Sequence, residues 1–192
     1  GSGTHVCGLI SVADEVRPAA LEVVQALKRL GIAQVVMVSG DNQGTAQAVA
    51  AATGVDAFWA ELLPEDKARM VEKLARQFGP VAIVGDGVND APAMAAATLG
   101  IAMGTIGTDA VIETADIALM SDDLTKLPWL IQHARRTLAV IKQNIGFALG
   151  LKFVFIVLAA TGDATLWMAI AADMGASLLV IANGLRLLRG GK

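Results

Sequence analysis

The residues best placed to do chemistry lie between Val81 and Pro92, in the stretch VAIVGDGVNDAP. Asp86 stands between Gly85 and Gly87, and Asn89 and Asp90 follow at once. Two carboxylates beside a glycine-rich turn suit a hard cation such as Mg2+, which takes one or two carboxylates together with phosphate oxygens. Gly85 and Gly87 let the backbone turn tightly and approach a ligand closely. Two other segments carry complementary groups. Ser39-Gly40-Asp41-Asn42 offers a hydroxyl and, at the start of the next helix, backbone N–H groups that favour an anion. Lys67, in Pro64-Glu65-Asp66-Lys67, is a point cation that can neutralise a phosphate oxygen. Together they make an electrostatic clamp for phosphoryl transfer. Asp86 can hold Mg2+, Asp90 can hold or orient the metal's shell, and Asn89 can hydrogen-bond a phosphoryl group. A nucleophile is missing: the one early candidate, Asp14, precedes Arg17-Pro18 rather than a strand-end loop. A Ser-Gly-Asp turn or a helix-start lysine alone is ordinary surface structure. A structural turn rarely needs two acids, an asparagine and two glycines in close succession.

These groups need a scaffold, and the pattern of the chain supplies one. The 192 residues allow one or two domains. The mean hydropathy of +0.59 hides a split: the composition is that of a soluble α/β domain to about Lys126 and of a membrane protein from Pro128. Strands are expected at His5–Val12, Gln34–Val38, Val81–Val84, Leu99–Met103 and Asp116–Leu119. Helices are expected at Ala19–Leu30, Thr45–Ala52, Pro64–Phe78 and Ala91–Ala97, with a short one near Asp109–Thr114. A short segment, Asp56–Ala60, lies between the second and third helices. This alternation implies a parallel sheet covered on both faces. The strands ending at Val38 and Val84 are expected to meet at one sheet edge, where open α/β folds bind ligands. The net charge of −3 and the lack of an aromatic-plus-basic pattern give no reason to expect nucleic acid. The single cysteine, Cys7, reads as a buried strand residue in a reducing compartment. The first residues, GSGTHV, do not read as a signal peptide.

The second half reads as a membrane hairpin. Ser121-Asp122-Asp123 is a helix-start signal. A helix from Pro128 passes without a break into the apolar segment Ile145–Ala160; a turn at Thr161-Gly162-Asp163 leads into a second one, Leu166–Leu185. Each extends to the roughly 20 residues a bilayer requires. Arg135, Arg136 and Lys142 precede the first span, and Arg186, Arg189 and Lys192 follow the second. The positive-inside rule puts both ends in the cytoplasm. His133 reads as a surface helix residue. Lys152 and Asp173 interrupt the spans, each about 15 Å below the turn at 1.5 Å per residue. Intramembrane charges are functional-site candidates. Two readings stand: a structural ion pair that fixes the hairpin, or a transported cation bound at Asp173 with Lys152 as a built-in counter-charge. Gly175, Ala176 and Ser177 allow close helix packing beside Asp173.

GDGVNDAPA, preceded by SGDN and PEDK, resembles the phosphorylation domain of P-type ATPases, the ion pumps of the haloacid-dehalogenase-like superfamily. The resemblance covers essentially the whole chain. It implies a Rossmann-like α/β phosphorylation domain followed by a two-helix transmembrane hairpin. Residues 1–14 would be the last strand of the nucleotide-binding domain and a hinge, 15–126 the C-terminal portion of the phosphorylation domain, and 127–192 a helix extension with spans at about 142–161 and 164–185. It implies Asp86 as a Mg2+ ligand, Asp90 and Asn89 in support, Lys67 on the phosphoryl group, and Ser39 in place of the more usual threonine. Gln143-Asn144, Ala148 to Lys152 and Ala172 to Ala176 resemble the last two helices of zinc/cadmium/lead exporters. The motifs of copper and cobalt pumps are absent, although another metal of the same family stays an alternative. The implied activity is ATP-driven export of Zn2+, Cd2+ or Pb2+ at the cell membrane, with Mg2+ and ATP as cofactors. The Asp-Lys-Thr-Gly-Thr motif, the actuator domain, most of the nucleotide-binding domain and the Cys-Pro-Cys site are not in this sequence. The implied partners are therefore membrane lipid and the remaining N-terminal part of a pump, and the chain alone is expected not to hydrolyse ATP. A truncated non-catalytic fragment and a soluble phosphatase are the competing readings.

Overall fold

The structure, a computed structural model, describes residues 16–85, 88–104, 115–163 and 165–188. The strand expected at His5–Val12, Cys7, Asp14 and the short helix near Asp109–Thr114 lie outside them. The chain divides into two compact units, Gly1–Pro128 and Trp129–Lys192.

The first unit alternates helices and parallel strands. Helix α1 (Ala20–Arg29) precedes β1 (Val36–Val38), α2 (Gln43–Thr53) and β2 (Ala57–Trp59). Then come α3 (Pro64–Phe78), β3 (Ala82–Gly85), a 3₁₀ turn at Val88–Asp90, α4 (Ala91–Ala96), β4 (Leu99–Met103) and β5 (Ile117–Leu119). Local chemistry explains most of the boundaries. Asn42 caps α2 by accepting the Thr45 N–H at 2.9 Å. Pro64 occupies the first turn of α3, where its missing N–H costs no hydrogen bond. Val71 and Leu74 give α3 its buried face, and α3 packs on α4, whose Ala93 and Met94 are also buried.

All strand pairings are parallel, but they form two ladders rather than one. β1 pairs with β2 (Met37 opposite Phe58), and β3 pairs with β4, which pairs with β5. The sequence placed β1 and β3 along one sheet edge. Among the described residues no ladder joins them, and Val84 in β3 is 40% exposed. The segment at Asp56–Ala60 proves to be strand β2. Asp56 fixes its start: its carboxylate accepts the Val35 N–H and the Lys28 ammonium.

The second unit consists mainly of helix. Helix α5 (Lys126–Thr161) is unbroken for 36 residues and α6 (Leu166–Leu185) for 20. Asp123 organises the start of α5 by accepting both the N–H and the hydroxyl of Thr125. Both helices are long and apolar enough to cross a membrane. At about 1.5 Å per residue α5 exceeds the roughly 30 Å hydrocarbon core. Large apolar side chains such as Phe153, Ile156, Trp167 and Leu178 are exposed, as lipid contact requires.

Candidate functional site

Lys67 Nζ lies 2.7 Å from Asp90 Oδ1, with the two side chains 17% and 18% exposed. Lys67 stands in the first turn of α3, and its N–H bonds to the Leu63 carbonyl. Asp90 ends the 3₁₀ turn that follows β3. Partial burial strengthens their attraction relative to a surface pair. Gly85, buried at the end of β3, is what allows the turn to close. A Cβ there would stand 2.8 Å from Asp90 Cβ and Oδ2 and 2.7 Å from Met94 Cε. Asn89 is exposed in the same turn. Asp86 and Gly87 lie outside the described residues.

The Ser39 turn is tied to the β2–α3 loop, which leads into the helix that carries Lys67. Leu62 N–H donates to the Ser39 carbonyl at 3.1 Å, and a Cβ on Gly40 would stand 3.3 Å from the Leu62 carbonyl oxygen. The Ser39 hydroxyl donates to Asp41 Oδ2 at 2.6 Å, and Asp41 N–H donates back to Ser39 Oγ. An anion that accepts the Ser39 proton must displace Asp41. No hydrogen bond joins Ser39 or Asp41 to Lys67 or Asp90 among the described residues. Glu61 is a residue the sequence did not single out. Its backbone is left-handed at φ 57°, its N–H donates to the Asp41 carbonyl at 2.8 Å, and its carboxylate accepts the Gln43 N–H at 3.4 Å. It bends the β2–α3 loop onto the Ser39 turn. A glutamate gives no sequence signal for φ > 0, a conformation uncommon in any residue but glycine.

Among the described residues there is no cluster of three or more metal-ligating side chains. Mg2+ needs only one or two protein carboxylates and completes its shell with water and phosphate. Asp90, with one oxygen on Lys67 and the other toward Gly85, is a suitable donor beside Asp86 in sequence.

Two carboxyls elsewhere are displaced from their ordinary values. The Lys28 ammonium, and then the Val35 N–H, hold Asp56 below the usual range, joining the end of α1 to the β1–β2 ladder. The Thr125 hydroxyl and N–H do the same for Asp123.

In the helical unit Lys152 and Asp173 are both exposed, and no ion pair joins them among the described residues. A Cβ on Gly175 would meet nothing within 4 Å, so the helix packing anticipated there is absent from this hairpin.

Fold and sequence thus define a parallel α/β domain followed by two helices able to span a bilayer. The chain belongs to the haloacid dehalogenase-like hydrolases, whose family model matches residues 2–98. It is 53% identical over 98% of its length to a probable cadmium-transporting ATPase of Staphylococcus aureus (strain MRSA252), of which it spans 26%. It is 48% identical over 94% of its length to a zinc-transporting ATPase of Synechocystis (strain ATCC 27184 / PCC 6803 / Kazusa), of which it spans 25%. The crystal structure of a zinc-transporting PIB-type ATPase in its E2.Pi state matches 92% of the chain with a TM-score of 0.84 and 50% identity, over 28% of that protein. The chain therefore corresponds to about a quarter of the length of these relatives.

Proposed function

We propose that this chain is the phosphoryl clamp and final membrane hairpin of an ATP-driven exporter of divalent heavy metals, Zn2+, Cd2+ or Pb2+. The observation that carries the proposal is the continuity of the match. One zinc-transporting ATPase matches the chain from the α/β unit through the apolar helices at 50% identity. The Lys67–Asp90 pair beside the Gly85 turn supports the clamp, and Asp173 and Lys152 in the apolar helices support a cation path. The remaining part of the pump supplies the phosphorylated aspartate and the nucleotide-binding and actuator domains. The two ladders and the exposed Val84 among the described residues fit a sheet that a further strand can complete.

In the clamp, Lys67 is held by Asp90 and donates a second hydrogen bond to a phosphoryl oxygen. Asn89, exposed in the turn, hydrogen-bonds the phosphoryl group, and Ser39 Oγ approaches it once Asp41 releases the hydroxyl. Asp86 and Asp90 would hold Mg2+, which neutralises charge on the transferring group when bound. In the membrane, Asp173 receives the cation and Lys152 competes for the carboxylate to release it. The excess of basic residues at the outer ends of the two helices supports a cytoplasmic clamp, where ATP is.

The test is ATP turnover by the full-length protein in membranes. Zn2+ and Cd2+ stimulate it, Asp86→Ala prevents Mg2+-dependent phosphorylation, and the 192-residue chain alone is inactive. Turnover by the isolated chain, or normal phosphoenzyme in Asp86→Ala, contradicts the proposal.

A further inference from the structure

Two hydrogen bonds tie α5 to α6. Asn183 Nδ2 donates to Asn144 Oδ1 at 2.8 Å, and Asn144 Nδ2 donates to the Val180 carbonyl at 3.5 Å. Arg186 Nη1 donates to Asn183 Oδ1 at 3.1 Å. Both asparagines are half-buried in helices whose other side chains are mostly apolar. A carboxamide without a partner is costly in hydrocarbon, so each asparagine favours the register that supplies the other.

That register has a consequence for the charges. Lys152 lies eight residues beyond Asn144, and Asp173 lies ten residues before Asn183. At about 1.5 Å per residue, their depths below the asparagine pair differ by only about 3 Å. Rotation adds to this. At about 100° per residue, eight residues make two turns and about 80° more, and ten make three turns less about 80°. A right-handed helix turns the same way whichever direction it is followed. Seen from the asparagine end, the two offsets are therefore of opposite sense, and on facing helices they lead to the same flank. Lys152 and Asp173 stand level on one side of the hairpin rather than across its seam. This accounts for their exposure.

We propose that Asn144 and Asn183 are the register clasp of this hairpin, positioning residues that hold Lys152 and Asp173 level on one flank. Slippage by one helical turn, about 5.4 Å, would separate the two charges in depth. The inference rests on the reading of Asp173 as the cation ligand, and its test separates the two claims.

In the full-length protein, Asn144→Leu, Asn183→Leu and the double variant are compared for the zinc KM of ATP turnover. Phosphorylation by inorganic phosphate without metal reports on the cytoplasmic site. Each single variant raises KM roughly three- to tenfold, the range an interhelical hydrogen bond supports. The double variant matches the single ones, and phosphorylation by phosphate is unchanged. Wild-type KM in the single variants, multiplying effects, or a parallel loss of phosphorylation would overturn the clasp. Proximity is read separately, from oxidative cross-linking of an Asn144→Cys/Asn183→Cys protein with Asn144→Cys/Gly175→Cys as control. No cross-link overturns the clasp even where turnover is normal. A cross-link, together with no metal-stimulated turnover in the unsubstituted protein, overturns the transport reading and supports the clasp.

Discussion

Lys67 and Asp90 form a 2.7 Å ion pair across 23 residues of sequence, joining the first turn of α3 to the turn after β3. Each belongs to a segment that reads as functional by itself, and the contact makes the two segments one site. Lys67→Ala removes the cation and leaves Asp90 partly buried without its partner. Phosphoenzyme formation in the full-length protein should fall about a hundredfold or more, the usual loss for one electrostatic contact in a transfer site. Steady-state phosphorylation assays measure this, and an unchanged rate would remove Lys67 from the clamp.

Gly85 allows no side chain. In Gly85→Ala the new methyl meets Met94 Cε and Asp90 at under 3 Å, so α4 or the Asp90 turn must shift. Overpacking of this kind costs about 1–3 kcal/mol. Thermal unfolding of the α/β unit should occur at lower temperature than in the parent. An unaltered midpoint would show that the turn has room the geometry denies.

The Asp56 carboxyl is held below its ordinary range by Lys28 and by the Val35 N–H. A depressed folded value means that this contribution is fully present above the unfolded value, about 4. It is lost as pH falls through the lower folded value. Asp56→Asn should therefore lose stability at neutral pH and show a flatter acid limb below about pH 4. Superimposable pH–stability curves for the two proteins would contradict this.

Asp173 is exposed in an apolar helix and pairs with no cation among the described residues. Asp173→Ala should abolish metal-stimulated turnover in the full-length protein while phosphorylation by inorganic phosphate persists. Zinc stimulation that survives the substitution would exclude the role given to this carboxylate.

Much of the fold is legible in the sequence because local signals agree. Pro64 at the first turn, Gly79 after the last and apolar residues at helical spacing mark α3 at the same bounds in both. The helix read from Pro128 without a break through Ala160 is one helix, Lys126–Thr161. What is hidden depends on contacts or on unusual backbone. β2 is three residues long, too short for a periodic signal. Glu61 takes a conformation its residue type does not announce. Asn144 and Asn183, 39 residues apart, look like isolated polar residues until the helices are set side by side. Depth counting sets Lys152 and Asp173 level but does not report rotation about the helix axes, which decides the flank each one faces. That no ladder joins β1 to β3 among the described residues was not legible either, since strand patterns do not report which strands pair.

The most direct test of the account is metal-dependent ATP hydrolysis by the full-length protein in proteoliposomes, with Zn2+, Cd2+ and Cu+ compared at equal free concentrations. The account predicts stimulation by Zn2+ and Cd2+, none by Cu+, and loss of the response in Asp173→Ala. Turnover indifferent to every divalent metal, or driven by Cu+ alone, would contradict it.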